Sequence, residues 1–282
     1  MKILHEIKNS IYNPEYYKSL PAGKSMRSSI KYLAKLSLLV SLVSVILICI
    51  LFASFPGKLK EWVRAVGETY PADLVITVKD GMASSNKAEP YIIPLKTITL
   101  PEEAGAPAYS NLLVVDTSKS FSVEEFMGHS TILMVTKTEI VTRGNNDKIE
   151  LRPLPKFSSL VITKSWVSEK EALIGKFLPI IMIALCVFSL LGFFMINFTG
   201  SLIILIFYGF LVWLMGKMMK VELSYKNSYK IGIHATTLLI LLSLVHPYIP
   251  FLNNFFVKMV IFLCVAYANF FAGRSREAEI AA

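Results

Sequence analysis

LSLLVSLVSVILICILFASF, Leu36 to Phe55, is a run of 20 residues without a charge. At ~1.5 Å of rise per residue, about 20 helical residues cross a hydrocarbon core of about 30 Å. Lys35 stands at its edge, where a long stem lets the ammonium reach the headgroups. The run is longer than the roughly 7–15 apolar residues of a secretory signal, a long hydrophilic stretch precedes it, and no A-x-A pattern follows. It reads as an uncleaved anchor. The whole chain agrees with this: its 282 residues are 54% hydrophobic and 17% charged, with a mean hydropathy of +0.55. Soluble domains carry about 45–50% apolar and about 25% charged residues, so a soluble enzyme, a disordered tail and a disulfide scaffold are all disfavoured.

Working outward, Phe177 to Gly216 is uncharged for 40 residues, the length of two crossings. Asn197-Phe198-Thr199-Gly200-Ser201 offers the polar, turn-forming break between them. Ile231–Val245 and Phe255–Gly273 follow. The expected fold class is an α-helical polytopic membrane protein of about five spans with an inserted β-rich α+β domain. The expected segments are 1–31, a cytoplasmic interfacial segment; 32–55, the first span; 56–176, an extracytoplasmic domain; 177–273, four helices at about 177–197, 201–216, 231–245 and 255–273; and a tail, 274–282.

Charge sets the expected orientation. The net charge of +9 is concentrated before the first span and in the segment 217–230, which holds Lys217, Lys220, Lys226 and Lys230. Residues 56–176 balance fifteen basic against fifteen acidic side chains. An excess that flanks apolar runs points to lipid headgroups and membrane topology rather than to nucleic acid. The N-terminus is expected in the cytoplasm of a multi-pass protein of the bacterial plasma membrane. Five spans then put the 217–230 loop outside, against the charge bias; a re-entrant 177–216 or a missed span would move it to the cytoplasm. Tyr12, Tyr16, Tyr17 and Tyr32 suit an interfacial aromatic belt.

Within 56–176, Leu74–Val78 runs as a strand into Lys79-Asp80-Gly81, and Asp-Gly is a strong hairpin signal. Tyr91–Leu100 is a strand with Pro94 at an edge, Leu112–Val115 a third, and Thr131–Thr142 a long alternating one. Gly144–Asp147 is read as a turn, Lys148–Leu151 as the returning strand, and Leu160–Trp166 as a further one. Ser122-x-x-Glu125 and Ser168-x-x-Glu171 read as capping boxes, the second opening the helix into the next span.

Chemistry-bearing motifs are sparse. Ala22-Gly23-Lys24-Ser25 matches only the end of a phosphate-binding loop, because Lys18 stands where the first glycine belongs. Val115-Asp116-Thr117-Ser118 has the shape of an aspartic-protease triplet, yet that chemistry needs two carboxylates and one copy is present; a turn at a strand end is the plain alternative. Cys49, Cys186 and Cys264 all lie in apolar runs without a CxxC neighbour, which gives neither a disulfide framework nor a zinc signature. His234 and His246 are not at metal-ligand spacing. No catalytic, cofactor or metal residues are assigned. The weak functional candidates are His234, Asn197 and Asn269, polar groups within apolar runs, and Asp116. The asparagines also suit bonding between helices, and Ser37/Ser41 and Ala268/Ala272 suit close helix packing.

Four phrases together carry a resemblance: IYNPEYYKSLPAGKSMRSSIKYL, YPADLVITVKDGMASS, NLLVVDTS and VELSYKNSYKIGIHATTLLILL. In this order they resemble the bacterial family catalogued as domain of unknown function 1189, whose helical part is similar to five-span Yip-type membrane proteins. The resemblance implies five spans and an outward C-terminus. Some relatives carry the label maltodextrin utilisation protein, which defines no mechanism and no functional residue. The expected function is non-enzymatic: sensing, assembly or envelope support through the extracytoplasmic domain. The alternative is a component of a transport system, such as sugar uptake. Expected partners are the lipid bilayer and a second copy or another membrane protein, and not nucleic acid.

Overall fold

A computed structural model describes residues 2–95, 109–143, 148–156, 159–245 and 248–272. The chain divides into two units, residues 1–52 with 183–282, and residues 53–182. The fold is α+β, with helices in both units and two sheets in the second.

The second unit opens with α4 (Phe55–Thr69), whose successor turns into a three-stranded sheet of order β2-β1-β8, from β1 (Ile76–Lys79), β2 (Met82–Ser85) and β8 (Leu160–Ile162). Asp80 and Gly81 join β1 to β2 at φ of 52° and 78°. Both torsions match the twist of a tight two-residue hairpin, as the Asp-Gly pair predicts. The second sheet has the order β3-β4-β5-β6-β7, from β3 (Tyr91–Pro94), β4 (Asn111–Asp116), β5 (Thr131–Thr136), β6 (Glu139–Arg143) and β7 (Ile149–Pro153). Its one parallel pair, β4 with β5, is joined through α5 (Val123–Gly128). Ser122 caps α5 by accepting the Glu125 N–H, as its capping box predicts.

Strand β4 is the centre of this unit, because both of its faces are covered. Leu113 and Val115 join Ile76, Val78, Ile93 and Val135 in one core, while Val114 turns to Phe126, Met134 and Val141 in another. A strand buried on both faces reads as a continuous apolar run, which is the pattern of Leu112–Val115.

Three expectations need correction here. Thr131–Thr142 is not one strand but the hairpin β5–β6, turned at Lys137-Thr138. No glycine marks the turn. Thr136 Oγ1 closes it, accepting the Glu139 N–H at 3.2 Å, and the carbonyls of Lys137 and Thr138 accept the N–H groups of Ala83 and Leu154 at 2.7 and 2.8 Å. The helix expected from Ser168 starts earlier. It is α6 (Lys164–Met218), and Thr163 Oγ1 accepts the Trp166 N–H at 3.2 Å, so Leu160–Trp166 yields only a short strand before the helix begins. Residues 96–100 of the second strand candidate, the turn 144–147, His246 and the tail 274–282 lie outside the described residues.

The third correction concerns the helical unit. α6 is one helix of 55 residues, so the expected break at Asn197–Ser201 and the separate helices 177–197 and 201–216 are not found. Asn197 Nδ2 donates to the Phe193 carbonyl one turn back at 2.9 Å, which satisfies the amide within the helix rather than in a turn. The other helices are α1 (Lys2–Ile11), α2 (Pro14–Gly23), α3 (Met26–Leu51), α7 (Tyr225–Ala235), α8 (Thr237–Leu242) and α9 (Phe255–Ala266), the last continuing as a π-helical segment, Tyr267–Phe271, and α7 packs on α1, α2, α3, α8 and α9. α7 runs back along α6: Tyr225 and Tyr229 donate to the carbonyls of Ile206 and Leu202 at 2.9 and 3.0 Å. Gly232 lets α7 approach, since a Cβ there would stand 3.1 Å from Leu205.

The stretches Met26–Thr69 and Lys164–Met218 are long and apolar enough to cross a membrane. Large apolar side chains on α6, among them Phe188, Ile196 and Ile203, are 63–71% exposed. A soluble monomer rarely shows so extended an apolar face to water.

Candidate functional site

Residues 2–24 pack onto the helical unit. Asn13 caps α2 by accepting the Tyr16 N–H, and Pro14 is favoured at the first helical position, so Asn13-Pro14 ends α1 and starts α2. The resulting helical hairpin is packed into the helical unit, α1 on α3, α7 and α8, and α2 on α7 and the π segment. Ser10, Tyr17 and Leu20 are fully buried. Tyr17 and Leu20 sit in one core with Tyr208, Ile231, Phe262 and Phe270. Tyr17 and Tyr32, expected in an interfacial belt, are therefore core residues; the Tyr17 hydroxyl donates to the Ser10 carbonyl at 2.6 Å, and the Tyr32 hydroxyl bonds Thr237 Oγ1 at 2.8 Å. Burial, with the neighbouring Tyr32 and Tyr16, holds the Tyr17 phenol well above its ordinary range.

His234, on α7, is the centre of a polar cluster. Its Nδ1 lies 2.9 Å from Ser10 Oγ and 3.3 Å from the Tyr16 hydroxyl. The Tyr32 ring stacks on it at 4.7 Å, and the Tyr16 ring meets it edge-on at 5.3 Å. The imidazole is fully buried, and among the described residues its Nε2 has no hydrogen-bond partner. Next to it, Lys24 Nζ donates to Glu6 at 2.6 Å and to the Tyr16 hydroxyl at 2.7 Å. Burial alone would lower the Lys24 pKa, but the bonds to Glu6 and Tyr16 outweigh it and raise the ammonium above its ordinary value. The Gly-Lys-Ser end of the phosphate-loop likeness is thus a joint between helices, with Lys24 tied to α1 and Ser25 capping α3.

Two further contacts clamp the hairpin. Asn269 Oδ1 accepts the Asn13 N–H at 2.7 Å, and its Nδ2 donates to the Ile11 carbonyl at 3.1 Å. Lys230, only 4% exposed, donates to the carbonyls of Leu20, Pro21 and Lys24 at 3.3, 2.6 and 3.0 Å. These are carbonyls at the C-terminal end of α2, where a cation meets the negative end of the helix dipole.

Of the four candidates, His234 and Asn269 are brought together on the hairpin. Asn197 is elsewhere, with Nδ2 3.5 Å from Ser41 Oγ. Asp116 is in the other unit, 3% exposed; its Oδ1 accepts from Ser118 Oγ at 2.7 Å, an Asx-type turn at the end of β4. Among the described residues, no group of three His, Cys, Asp or Glu side chains stands where it could hold a metal ion. Sequence reading missed Ser10, Asn13, Tyr16 and Lys230. The signals were available in the strongly amphipathic Lys2–Ile11 and in the Asn-Pro cap, but their partners lie more than 200 residues away.

A chain of this class joins an α-helical unit, with two helices fit to cross a membrane, to a two-sheet unit. A family model described as "Protein of unknown function (DUF1189)" matches residues 4–271, and the chain belongs to that family. No curated protein and no solved structure matches it.

Proposed function

We propose that the chain is a non-enzymatic, multi-pass protein of the bacterial plasma membrane that presents residues 53–182 outside the cytoplasm for sensing, assembly or envelope support. The observation that carries this reading is the placement of the two long apolar helical stretches, one before the β-rich unit and one after it. Lipid is the solvent in which the exposed apolar side chains of α6 are at no disadvantage.

The reading includes four crossings rather than five: α3, α6, α7 with α8, and α9 with its π segment. The hairpin 2–23 bonds both to Lys230, in the middle of α7, and to Asn269 near the end of the last helix. An even number of crossings puts those three places on one side. The four lysines of 217–230 then share the cytoplasmic face with the basic N-terminus, as the charge bias favours.

The transport reading draws less support. His234 Nδ1 and Asn269 bond to the N-terminal hairpin, and Asn197 bonds within α6 and toward Ser41, so these groups already serve contacts within the helical unit. Photo-crosslinking of the full chain in native membranes, from positions on the β-rich unit, tests the proposal. It predicts a discrete adduct with a second copy or another envelope protein. Adducts with neither would overturn it, and uptake lost on His234→Leu in a fully folded protein would favour transport.

A further inference from the structure

One face of α3 and one face of α1 line an open cavity of about 500 Å³. The α3 face contributes Ser28, Lys31, Tyr32 and Lys35, spaced three and four apart so that all lie on one side of the helix. The α1 face contributes Lys2 and His5, with Glu6. The Glu6 carboxylate is already matched by Lys24. Among the described residues, Lys2, Lys31 and Lys35 have no such carboxylate partner. Three lysines and the Ser28 hydroxyl therefore line a hollow whose local acid is neutralised. Tyr32, 2% exposed, closes the floor and is held there by Thr237 and by the His234 ring. The site is built from the inside: its floor is the cluster that docks the hairpin.

We propose that this cavity binds a phosphate-bearing anion, and that the anion is the headgroup of an acidic phospholipid. Phosphate is the group that several ammonium donors and a hydroxyl recognise together. The source follows from what continues beyond the cavity. Lys35 is the last charge before the uncharged run that begins at Leu36, so the site lies at headgroup depth. Leu38 and Leu42, three and seven residues after Lys35, extend the same side of α3 and are 49% and 46% exposed. A headgroup over the lysines leaves its acyl chains along these leucines; a soluble phosphate makes no use of them. The site locks α1 to α3, so a bound lipid also steadies the hairpin. This inference rests on the membrane reading of the preceding section.

Native mass spectrometry of the full chain, released from detergent micelles with added phosphatidylglycerol or phosphatidylcholine, tests it. The expected result is retained phosphatidylglycerol adducts and few phosphatidylcholine adducts. Each lysine near an anionic surface is worth about fivefold in binding, so Lys31→Gln with Lys35→Gln should weaken retention roughly twenty- to thirtyfold. Lys31→Arg with Lys35→Arg should keep it, and Lys217→Gln with Lys220→Gln should leave it unchanged. Equal retention of the two lipids, or no loss in the glutamine variant, overturns the proposal. Displacement of the lipid by millimolar inorganic phosphate overturns the lipid as the source. The membrane reading fails separately, if the chain stays dispersed in buffer without detergent.

Discussion

His234 receives two hydroxyls on one ring nitrogen, from side chains that precede it by more than 200 residues. Replacing it with leucine keeps most of the volume and leaves Ser10 Oγ and the Tyr16 hydroxyl without that partner. A buried group left unpaired costs about 1–3 kcal/mol. His234→Leu should therefore loosen the hairpin, seen as faster tryptic cleavage at Lys8 and Lys18 in the detergent-solubilised full chain; an unchanged rate would contradict the clamp. A second prediction belongs to the other unit. Tyr70 is buried and donates to the Ile162 carbonyl at 3.1 Å, and burial pushes its phenol up to about 12. Its folded value exceeds its unfolded value of about 10, so its contribution to stability is whole below pH ~10 and is lost as pH rises towards ~12. Denaturant midpoints of the full chain should fall over that window, and Tyr70→Phe should flatten the fall. Identical slopes would refute it. His234 and Asn269 could be picked from the sequence as polar groups in apolar runs, but their role could not, since the partners are contributed by a segment that reads as interfacial.

Among the elements, the hairpin at Asp80-Gly81 was legible because its turn type demands particular residues. The hairpin at Lys137-Thr138 was not, because tertiary bonds from Ala83 and Leu154 complete it and any residue can supply the carbonyls. Gly81→Ala tests the first: at φ 78° the added Cβ would also stand 3.0 Å from Lys156. The strained torsion and the contact should together cost about 1–2 kcal/mol, measured as a lower unfolding midpoint, and a change within error would show that the turn relaxes. Helix α2 depends on Lys230 in the same local sense. Lys230→Met keeps the aliphatic stem and removes the donor to three carbonyls, so the hairpin should loosen by about 1–3 kcal/mol, read by the same cleavage assay. The continuity of α6 was illegible for the opposite reason. Asn, Thr, Gly and Ser mark a turn in water, but an Asn that bonds its own preceding carbonyl stays inside a helix.

For the whole molecule, apolar composition and clustered charge pointed to lipid from the sequence, and the family match agrees with the four phrases that suggested it. What the sequence obscured is the number of crossings, since one uncharged stretch can be counted once or twice. The proposed count of one would bring the N-terminal hairpin, the 217–230 lysines and the last helix to one face, and the contacts of the hairpin with α3, α7 and α8 make it part of the helical unit. The most direct test is side-specific labelling of Glu222→Cys, in a background with Cys49, Cys186 and Cys264 replaced by serine, using a maleimide that does not cross membranes. The account predicts that position 222 stays unlabelled in intact cells, as Lys8→Cys does, while Asn86→Cys is labelled. Labelling of 222 together with 86 would contradict it.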